Sequence, residues 1–290
     1  MKTKTLNLFR KIFMLSPFEI LLIKLTKGAA FGTFISKIPP NHYQYKSPSI
    51  RKATRNNINY TLDISDIVDW FIYFGFTENS KEILLSNIKE NNVVIDVGAN
   101  VGEISLSMAH LVGNKSGHVH SFEPDPTNFN RFLNNLKINN VKNISTINKG
   151  LGNEKGTFTL SVVNENNRGM NRIVKTNQTL NTSTIEVITL DDYIKENNIP
   201  HIDAIKMDVE GFEMNVLKGA ENLLKRDTPF LFIELDDNNL KDQNSSAKQL
   251  IVFLINLGYN ITNATNNEAI NLNTVFTNCH YDIICKQIEA

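Results

Sequence analysis

Cysteine is scarce in this chain, whose 290 residues include only Cys279 and Cys285. Without cysteines for a disulfide framework, the sequence is typical of a reduced, intracellular protein, and we do not expect these two to form a disulfide. An excess of charge is also missing, because 30 Lys and Arg residues balance 30 Asp and Glu residues. A neutral chain has no net field that attracts polyanions, so a nucleic-acid partner is not expected.

A long hydrophobic run is the third feature that the sequence lacks. The apolar stretches near the N-terminus fall short of the roughly 18 residues of a membrane-spanning helix, and no clear signal-peptide cleavage site follows them. Residues 1–34 nevertheless mix basic with apolar side chains. Two interpretations stay open: a basic helix that rests on a membrane surface, and helices that pack on the main domain.

The division of the chain follows from a loop-like segment over Ile38–Pro48. We predict an N-terminal helical segment over residues 1–45 and one main domain over residues 46–290. The expected location is the cytoplasm, with contact to the inner face of the membrane through residues 1–34 as the alternative. Neither the oligomeric state nor the acceptor is encoded in a pattern that we can interpret.

Short apolar runs alternate with helical patterns from Val93 onward. Val93–Val97 predicts a strand, and the glycines that come next predict a tight turn. The apolar spacing after this turn predicts a helix. His118–Phe122 and Ile144–Asn148 predict two further strands, joined by a helix over Pro126–Asn139. Three such steps in a row predict an α/β fold with a parallel sheet.

The second half of the chain is less regular. The polar segment Asn164–Asn181 lies between two strand patterns and predicts a surface loop rather than a core element. Phe212–Lys225 has the apolar spacing of one helix. The strand patterns of this half are Gly156–Val163, Ile185–Leu190, Ile202–Asp208, Phe230–Leu235, Tyr259–Thr262 and Tyr281–Cys285.

The turn after the first of these strands, D-x-G-x-x-x-G from Asp96 to Gly102, favours one cofactor class. A dinucleotide would need G-x-G-x-x-G to place its pyrophosphate at the helix N-terminus, and Asp96 would repel that group. An acidic strand end suits S-adenosylmethionine, which carries an ammonium and a sulfonium. Glu123 ends the second strand, where a carboxylate accepts hydrogen bonds from ribose hydroxyls. We expect Gly98→Val to abolish cofactor binding with the fold retained, because the branched side chain would fill the methionine space.

Five motifs in order carry a family resemblance: VVIDVGANVG, SFEPDP, TLDDY, IKMDVEGFEMNVLKGA and FIEL. Over residues 69–260 the chain resembles the FkbM family of S-adenosylmethionine-dependent methyltransferases. The resemblance implies a Rossmann-like class-I methyltransferase fold, with a mostly parallel seven-stranded sheet and helices on both faces. It also implies S-adenosylmethionine as the cofactor and, usually, O-methylation of a hydroxyl on a sugar, glycan or glycosylated metabolite.

The resemblance assigns cofactor-binding residues by position. They are Glu78, Asp96, Gly98, Ala99, Asn100, Gly102, Glu123 and Asn148, the last near the adenine. The chain departs from the family pattern at Gly152-Asn153, where an acidic residue is common, and this puts the adenine contact in doubt. For Glu78, a glutamate that precedes the domain, a helix-capping role is an equal alternative.

Carboxylates follow two strands at the edge where ligands of open parallel sheets lie. Methyl transfer to a hydroxyl needs a positioned acceptor and a base. We therefore predict Asp208 or Glu210 as the base or as an orienting group, supported by Glu234 and by Lys206, which would pair with Asp208. In the alternative interpretation, Asp208 holds the cofactor ammonium and Glu210 caps the helix that opens at Gly211.

The remaining polar signals are interpreted as structural. Asp191 and Asp192 stand where helix capping predicts acidic residues. The histidines lack metal-ligand spacing, so no metal is expected, although magnesium on the acidic cluster remains a hypothesis from composition. A non-catalytic module that keeps the fold for binding a partner is the main alternative to a methyltransferase, and a nucleotide-dependent oxidoreductase is the weaker one.

Overall fold

The computed structural model describes residues 7–8, 10–162, 167–174 and 182–287. Its α-helices are α1 (Ser16–Thr26), α2 (Ile67–Phe74), α3 (Asn79–Ser86), α4 (Glu103–Val112), α5 (Pro126–Asn139), α6 (Leu190–Glu196), α7 (Glu213–Lys218), α8 (Glu221–Asp227), α9 (Asp237–Asp242) and α10 (Ala247–Asn256). Its strands are β1 (Ile50–Arg55), β2 (Ile58–Asp63), β3 (Val93–Val97), β4 (His118–Phe122), β5 (Ile144–Ile147), β6 (Gly150–Leu151), β7 (Gly156–Ser161), β8 (Arg172–Val174), β9 (Thr182–Ile188), β10 (Ala204–Met207), β11 (Phe230–Asp236), β12 (Tyr259–Asn263), β13 (Ala269–Ile270) and β14 (His280–Gln287). Short 3-10 turns cover Lys11–Met14, Ile35–Lys37, His42–Gln44 and Arg168–Met170.

The central sheet has the strand order β13-β12-β14-β11-β10-β3-β4-β5. The strands from β11 to β5 pair in parallel, whereas β14 runs antiparallel to both β11 and β12. The predicted α/β fold with a mostly parallel sheet is confirmed. The sheet has eight strands rather than seven because the two-residue strand β13 extends its edge.

Burial of the two central strands, β3 and β10, explains their sequence pattern. Four of the five residues of β3 and all of β10 are buried, because helices cover both faces of the sheet. Each strand is therefore mostly apolar, with one buried charged residue, Asp96 in β3 and Lys206 in β10. The parallel strands β3, β4, β10 and β11 all end at the same edge of the sheet, and this brings together residues that are far apart in the sequence.

A second, four-stranded sheet, in the order β6-β9-β7-β8, lies between β5 and β10 in the chain. It corrects the prediction of a surface loop over Asn164–Asn181. Arg172–Val174 forms β8, which pairs with β7, and Ile173 is buried in the main core. Three residues are too few to show a periodic pattern, so only the pairing reveals this strand. Residues 164–166 and 175–181 of the predicted loop lie outside the described residues.

The helix predicted over Phe212–Lys225 is two helices, α7 and α8, separated at Gly219. A Cβ at Gly219 would lie 1.9 Å from the carbonyl oxygen of Gly152, so the chain bends where two backbones meet. Asp191 supports this corner, because its carboxylate accepts hydrogen bonds from the backbone N–H groups of Asn222 and Leu223 at the start of α8. Asp191 therefore caps a helix other than its own.

The helix α6 is capped by Thr189, whose hydroxyl oxygen accepts a hydrogen bond from the backbone N–H of Asp192 at 3.1 Å. Asp192 itself lies on the surface, where Lys155 approaches it at 3.4 Å. The structural interpretation of Asp191 and Asp192 thus agrees with the contacts that both residues make, although the capping side chain of α6 precedes them.

One face of α1 packs on the body of the protein. Leu22 is buried in a cluster that contains Trp70 and Phe74 of α2 and also Phe132 of α5. The Thr26 hydroxyl donates a hydrogen bond to the carbonyl oxygen of Phe74 at 2.6 Å. Packing on the main domain, one of the two interpretations of this segment, therefore describes the buried face of α1. The domain boundary at residue 45 stays a prediction.

The buried face of α1 also includes a charge. Glu19 accepts hydrogen bonds from the Arg51 guanidinium at 2.8 Å and from the Tyr73 hydroxyl at 2.6 Å. Its carboxylate is therefore satisfied by β1 and α2. Among the described residues, no helix combines the length and the apolar character needed to cross a membrane.

Candidate active site

A cavity of about 1030 Å³ opens at the carboxyl ends of β3, β4, β10 and β11. This volume lies at the upper end of the range for single-ligand pockets, so it has room for both a cofactor and an acceptor. The predicted site residues in its wall are Glu78, Gly98, Ala99, Asn100, Glu123, Lys206, Asp208, Glu210 and Glu234. The fold thus brings most of the predicted site residues together in one cavity.

Asp96 lies behind this wall rather than in it. Its side chain is fully buried, Oδ2 accepts a hydrogen bond from the Ser105 hydroxyl at 2.6 Å, and Oδ1 lies 3.3 Å from the Lys206 Nζ. The pairing register places Lys206 of β10 directly beside Asp96 of β3. Asp96 therefore anchors the strand ends that form the cavity. Its buried position behind the wall does not favour direct contact with the cofactor ammonium, and that contact stays a prediction.

Gly102 and Asn148 also stand outside the cavity wall. Gly102 precedes α4 with φ +85°, and a Cβ there would lie 2.0 Å from the Phe132 ring of α5. This glycine permits two helices to pack closely. Asn148 donates a hydrogen bond through Nδ2 to the carbonyl oxygen of Glu123 at 2.7 Å. Asn148 thus supports the backbone of the neighbouring strand end.

Gly98 has a structural requirement of its own. Its φ is +82°, and a Cβ at this position would lie 1.9 Å from the backbone carbonyl oxygen of Asp208. The backbone at the end of β10 therefore occupies the space next to Gly98 that we expected the methionine moiety of the cofactor to fill. The glycine is needed because two strand ends meet, whatever ligand the cavity holds.

Glu123 has its carboxylate fixed by two backbone amides. Oε2 accepts from the N–H of Asn100 at 2.7 Å, and Oε1 accepts from the N–H of Asp125 at 2.9 Å. Burial raises the pKa of Glu123 to about 7, although these two hydrogen bonds act in the opposite direction. Each carboxylate oxygen has a second lone pair, so two hydroxyl groups can still donate to it. These two acceptor oxygens fit the ribose hydroxyls of S-adenosylmethionine.

Lys206 connects the two strand ends. Its Nζ donates to the carbonyl oxygen of Gly98 at 2.9 Å and lies 3.3 Å from Asp96 Oδ1 and 3.8 Å from Asp208 Oδ2. Burial alone would lower the pKa of Lys206, but the Asp96 and Asp208 carboxylates more than offset it, so the pKa is raised. The pairing with Asp208 is therefore present, while the closer partner is Asp96.

The role of Lys206 leads to a stability prediction. Lys206→Met leaves the fully buried Asp96 without its cation, and we expect the free energy of unfolding to fall by about 3 kcal/mol. Lys225→Met is the matched control, because Lys225 forms an exposed pair with Glu221. Urea unfolding measures both variants. Equal stability of the two variants would show that Lys206 does not hold the strand ends.

Asp208, Glu210 and Glu234 form a carboxylate cluster at the strand ends, in which oxygen atoms of all three lie within 4.8 Å of one another. Burial, followed by the charges of Asp208 and Glu210, raises the pKa of Glu234 well above its usual range, which favours its protonated form. Carboxylate oxygens this close are also ligands of the kind that Mg²⁺ and Ca²⁺ take.

Glu210 is held in an unusual backbone conformation within this cluster. Its φ is +52°, and its Oε2 accepts a hydrogen bond from the Asn239 side-chain amide at 2.8 Å. Burial, followed by the charge of Asp208, raises the pKa of Glu210 to about 7. Such a conformation is disfavoured for a residue with a side chain, so the surrounding contacts must hold Glu210 in it.

The alternative cap at Gly211 is provided by another residue. Glu213 Oε1 accepts from the backbone N–H groups of Val209 and Gly211, both at 3.1 Å. Glu213 is fully buried, and burial raises its pKa to about 7. The turn before α7 is therefore closed by Glu213, and the carboxylate of Glu210 remains in the cavity wall.

Glu78 also faces the cavity. It occupies the N-cap position of α3 without a capping hydrogen bond from its side chain, so the capping alternative does not describe its contacts. Burial, followed by the charge of Asp282, raises the pKa of Glu78. The cofactor contact proposed for Glu78 by resemblance stays a prediction.

The polar residues of the cavity wall that sequence reasoning missed include Asn239, His280 and Asp282. Asp282 of β14 pairs in register with Glu234, and burial raises its pKa. His280 hydrogen-bonds through Nδ1 to Asp236 at 2.9 Å, and its Nε2 lies 3.9 Å from Glu234 Oε1. No local signal identifies His280 and Asp282, because the register of the antiparallel strand β14 depends on the assembled sheet.

The comparison with known families bears directly on this site. The model of the methyltransferase FkbM domain matches residues 96–261, which include the turn, Glu123 and the carboxylate cluster. The chain belongs to the FkbM methyltransferase family. The resemblance predicted from the five motifs is thereby confirmed, together with the class-I methyltransferase fold and S-adenosylmethionine as the cofactor of this FkbM protein.

Individual relatives of this FkbM protein are distant. It is 28% identical over 153 residues to the hexuronic acid methyltransferase AglP of Haloferax volcanii, a match over 53% of this chain and 59% of that protein. It is 27% identical over 151 residues to methyltransferase 1 of Beauveria bassiana, over 46% and 60% of the two chains. The matches thus span about three fifths of these relatives.

A solved structure with a similar fold is methyltransferase FkbM from Methylobacillus flagellatus KT. The similarity covers 68% of this chain and 44% of that one, with 19% sequence identity and a TM-score of 0.45. The assignment to the family therefore rests on the match over residues 96–261.

Proposed function

We propose that this protein transfers the methyl group of S-adenosylmethionine to a hydroxyl oxygen of a sugar, glycan or glycosylated metabolite. The observation that carries the proposal is the carboxylate cluster, which shares one cavity with the Glu123 carboxylate and the Gly98 turn. A sugar acceptor is supported by the relative that is named a hexuronic acid methyltransferase.

In this proposal Glu123 and the turn residues hold the cofactor, which supplies an electrophilic methyl group on a sulfonium. Glu123 accepts hydrogen bonds from the ribose hydroxyls while the amides of Asn100 and Asp125 fix its carboxylate. Lys206 keeps the ends of β3 and β10 together through Gly98 and Asp96. These groups position the cofactor and take no part in proton transfer.

Glu210 is the proposed general base. The acceptor hydroxyl loses its proton to the Glu210 carboxylate as its oxygen forms a bond to the methyl carbon and the carbon–sulfur bond breaks. A pKa of about 7 suits this role, because such a group is largely ionised slightly above neutral pH and still basic enough to take the proton. Protonated Glu234 can donate a hydrogen bond to a neighbouring carboxylate, and Asp208 orients the acceptor.

The proposal is tested by incubating the full chain with S-adenosylmethionine and either uronic acid glycosides or neutral hexosides. We expect release of S-adenosylhomocysteine together with methyl addition to a hydroxyl, detected by mass spectrometry. Tight binding of S-adenosylhomocysteine without turnover on any glycoside would favour the non-catalytic module. Tighter binding of NAD than of S-adenosylhomocysteine would contradict the cofactor assignment.

The role of Glu123 gives a binding prediction. Glu123→Gln keeps the size of the side chain but removes the charge that accepts from the ribose, and we expect the affinity for S-adenosylhomocysteine to fall by about 1 to 3 kcal/mol. Calorimetry measures the loss. Glu221→Gln is the control, because Glu221 lies on α8 in an exposed pair with Lys225, away from the cavity wall. Unchanged affinity in Glu123→Gln would remove this residue from the cofactor site.

A further inference from the structure

The face of α1 that points away from the protein body is apolar. Phe18, Leu21 and Leu25 follow one another at the spacing of a single helix face, and 40%, 52% and 55% of their surfaces are exposed. Ile20 beside them is exposed as well. Leu22 and Thr26, on the adjoining side of the helix, are buried in the core, and packing among the described residues does not account for the exposed apolar side chains.

The two 3-10 turns that contact α1 extend this face. Ile12 lies in the turn Lys11–Met14 and Ile35 in the turn Ile35–Lys37, and both side chains are exposed. Phe34, beside the second turn, is 82% exposed. We call the exposed apolar side chains of residues 8–35 the N-terminal apolar surface.

Exposed apolar residues are concentrated in this surface. Among the described residues, ten of the seventeen exposed large apolar side chains fall between Leu8 and Ile35. The others, such as Leu111 and Leu133, are spread over the rest of the chain. Single exposed apolar residues are ordinary, whereas a concentration of them marks an interaction surface.

The charges around the N-terminal apolar surface have one sign. Among the described residues from 7 to 37, the exposed charged side chains are Lys11, Lys24, Lys27 and Lys37. The acidic residue of this stretch, Glu19, is buried against Arg51 and Tyr73. An apolar segment whose own exposed charges are lysines matches a bilayer with anionic head groups, because the acyl chains accept the apolar residues and the head groups accept the lysines.

The N-terminal apolar surface reaches the active-site cavity. Ala30 and Phe31 line the cavity, and both residues are exposed. The Phe31 ring packs on Phe71 and Phe76 at centroid distances of 5.4 and 5.9 Å, which ties this part of the surface to α2. A body that covers the N-terminal apolar surface would therefore lie at the edge of the cavity.

We infer that residues 11–37 dock this protein peripherally on an anionic phospholipid bilayer. The apolar side chains of α1 enter the boundary between head groups and acyl chains, the lysines contact lipid phosphates, and the cavity opens at the edge of the contact. An acceptor held in the same lipid surface would be presented to the cavity. The docking itself needs neither methyl transfer nor an acceptor, so it is measured independently of the proposed reaction.

The test is sedimentation of the full chain with vesicles of phosphatidylcholine alone or mixed with phosphatidylglycerol. We expect binding to the mixed vesicles, weakening as salt is added. Leu21→Glu with Leu25→Glu should lower the partition coefficient about tenfold or more, because two inserted apolar side chains become charged. Lys24→Ala with Lys27→Ala should lower it roughly fivefold per lysine on anionic vesicles only.

The matched control is Leu272→Glu with Val275→Glu, whose parent side chains are 51% and 81% exposed and lie far from α1 in the sequence. This control should bind vesicles as the unchanged protein does. An unchanged melting temperature and an unchanged affinity for S-adenosylhomocysteine would show that each variant is folded. Both readouts are independent of turnover.

Three outcomes would overturn the inference. The first is failure of the unchanged protein to sediment with vesicles of either composition. The second is binding of the Leu21 and Leu25 variant as strongly as the Leu272 and Val275 control. The third is a dimer in solution that the Leu21 and Leu25 variant dissociates, without vesicle binding by the unchanged protein. A second copy of the chain, rather than a bilayer, would then cover this surface.

Discussion

Gly98→Val should strongly destabilise the fold, and not only abolish cofactor binding. A Cβ at Gly98 would lie 1.9 Å from the Asp208 carbonyl oxygen, and φ at this position is +82°. Neither backbone can retreat easily, because β3 and β10 pair up to Val97 and Met207. Overpacking and backbone strain together cost roughly 2 to 6 kcal/mol. That cost is comparable with the whole stability of a typical domain, about 5 to 15 kcal/mol.

This expected outcome differs from the sequence-based prediction that the fold is fully retained in Gly98→Val, because the collision is with backbone rather than with a ligand. The matched control is Gly258→Val, since Gly258 also has a positive φ, +87°, but its Cβ would approach only the Gln287 side-chain amide, at 3.5 Å. The control carries the backbone strain without the collision. Soluble yield, circular dichroism and thermal melting compare the two variants. Equal melting temperatures would show that the strand ends can move apart.

Glu210→Gln should lower turnover by about 10² to 10⁴ fold, the usual contribution of a general base. The change keeps the length of the side chain and its ability to accept the hydrogen bond of Asn239. Affinity for S-adenosylhomocysteine should therefore stay near that of the unchanged protein. Glu103→Gln is the matched control, because Glu103 also lines the cavity but pairs with Lys81 outside the cluster. Its turnover should stay near the original value.

The pH dependence of turnover gives a second readout for Glu210. Burial and Asp208 raise its pKa to about 7, and a base acts only when it is deprotonated. Turnover of the unchanged protein should therefore rise as the pH increases through about 7, and this step should be absent from Glu210→Gln.

The contrary outcomes separate the two interpretations of the cluster. If Asp208→Asn weakened binding of S-adenosylmethionine directly and left turnover of the bound form unchanged, Asp208 would be the ammonium ligand. If Asp208→Asn and Glu210→Gln both turned over at the original rate, no carboxylate of the pair would act as the base. Positioning of the acceptor alone would then have to explain the rate.

Local patterns were sufficient for the first half of the sheet. The predicted strands Val93–Val97 and His118–Phe122 and the helix Pro126–Asn139 agree with β3, β4 and α5 residue for residue. Each of these elements is continuous in the sequence and bounded by glycine, proline or a capping residue. Such signals act over a few neighbouring residues, so they survive without any knowledge of the fold.

The roles of individual site residues were less accessible. The expectation that Lys206 pairs with Asp208 used the alternation along one strand, whereas its closer partner Asp96 comes from the neighbouring strand β3. The need for glycine at position 98 arises from the backbone of residue 208. Both contacts depend on how β3 and β10 lie side by side, which neither segment encodes alone.

The sequence by itself determined the order of strands and helices in the first half of the main domain, the family, and the residues that end the parallel strands. These features depend on local periodicity and on motifs that lie within single segments. Only the tertiary structure decided that Asp282 faces the carboxylate cluster, that Ile173 belongs to a buried strand, and that α1 has one buried and one exposed apolar face. Register, pairing and burial are relations between segments distant in the chain, and packing of the whole protein sets them.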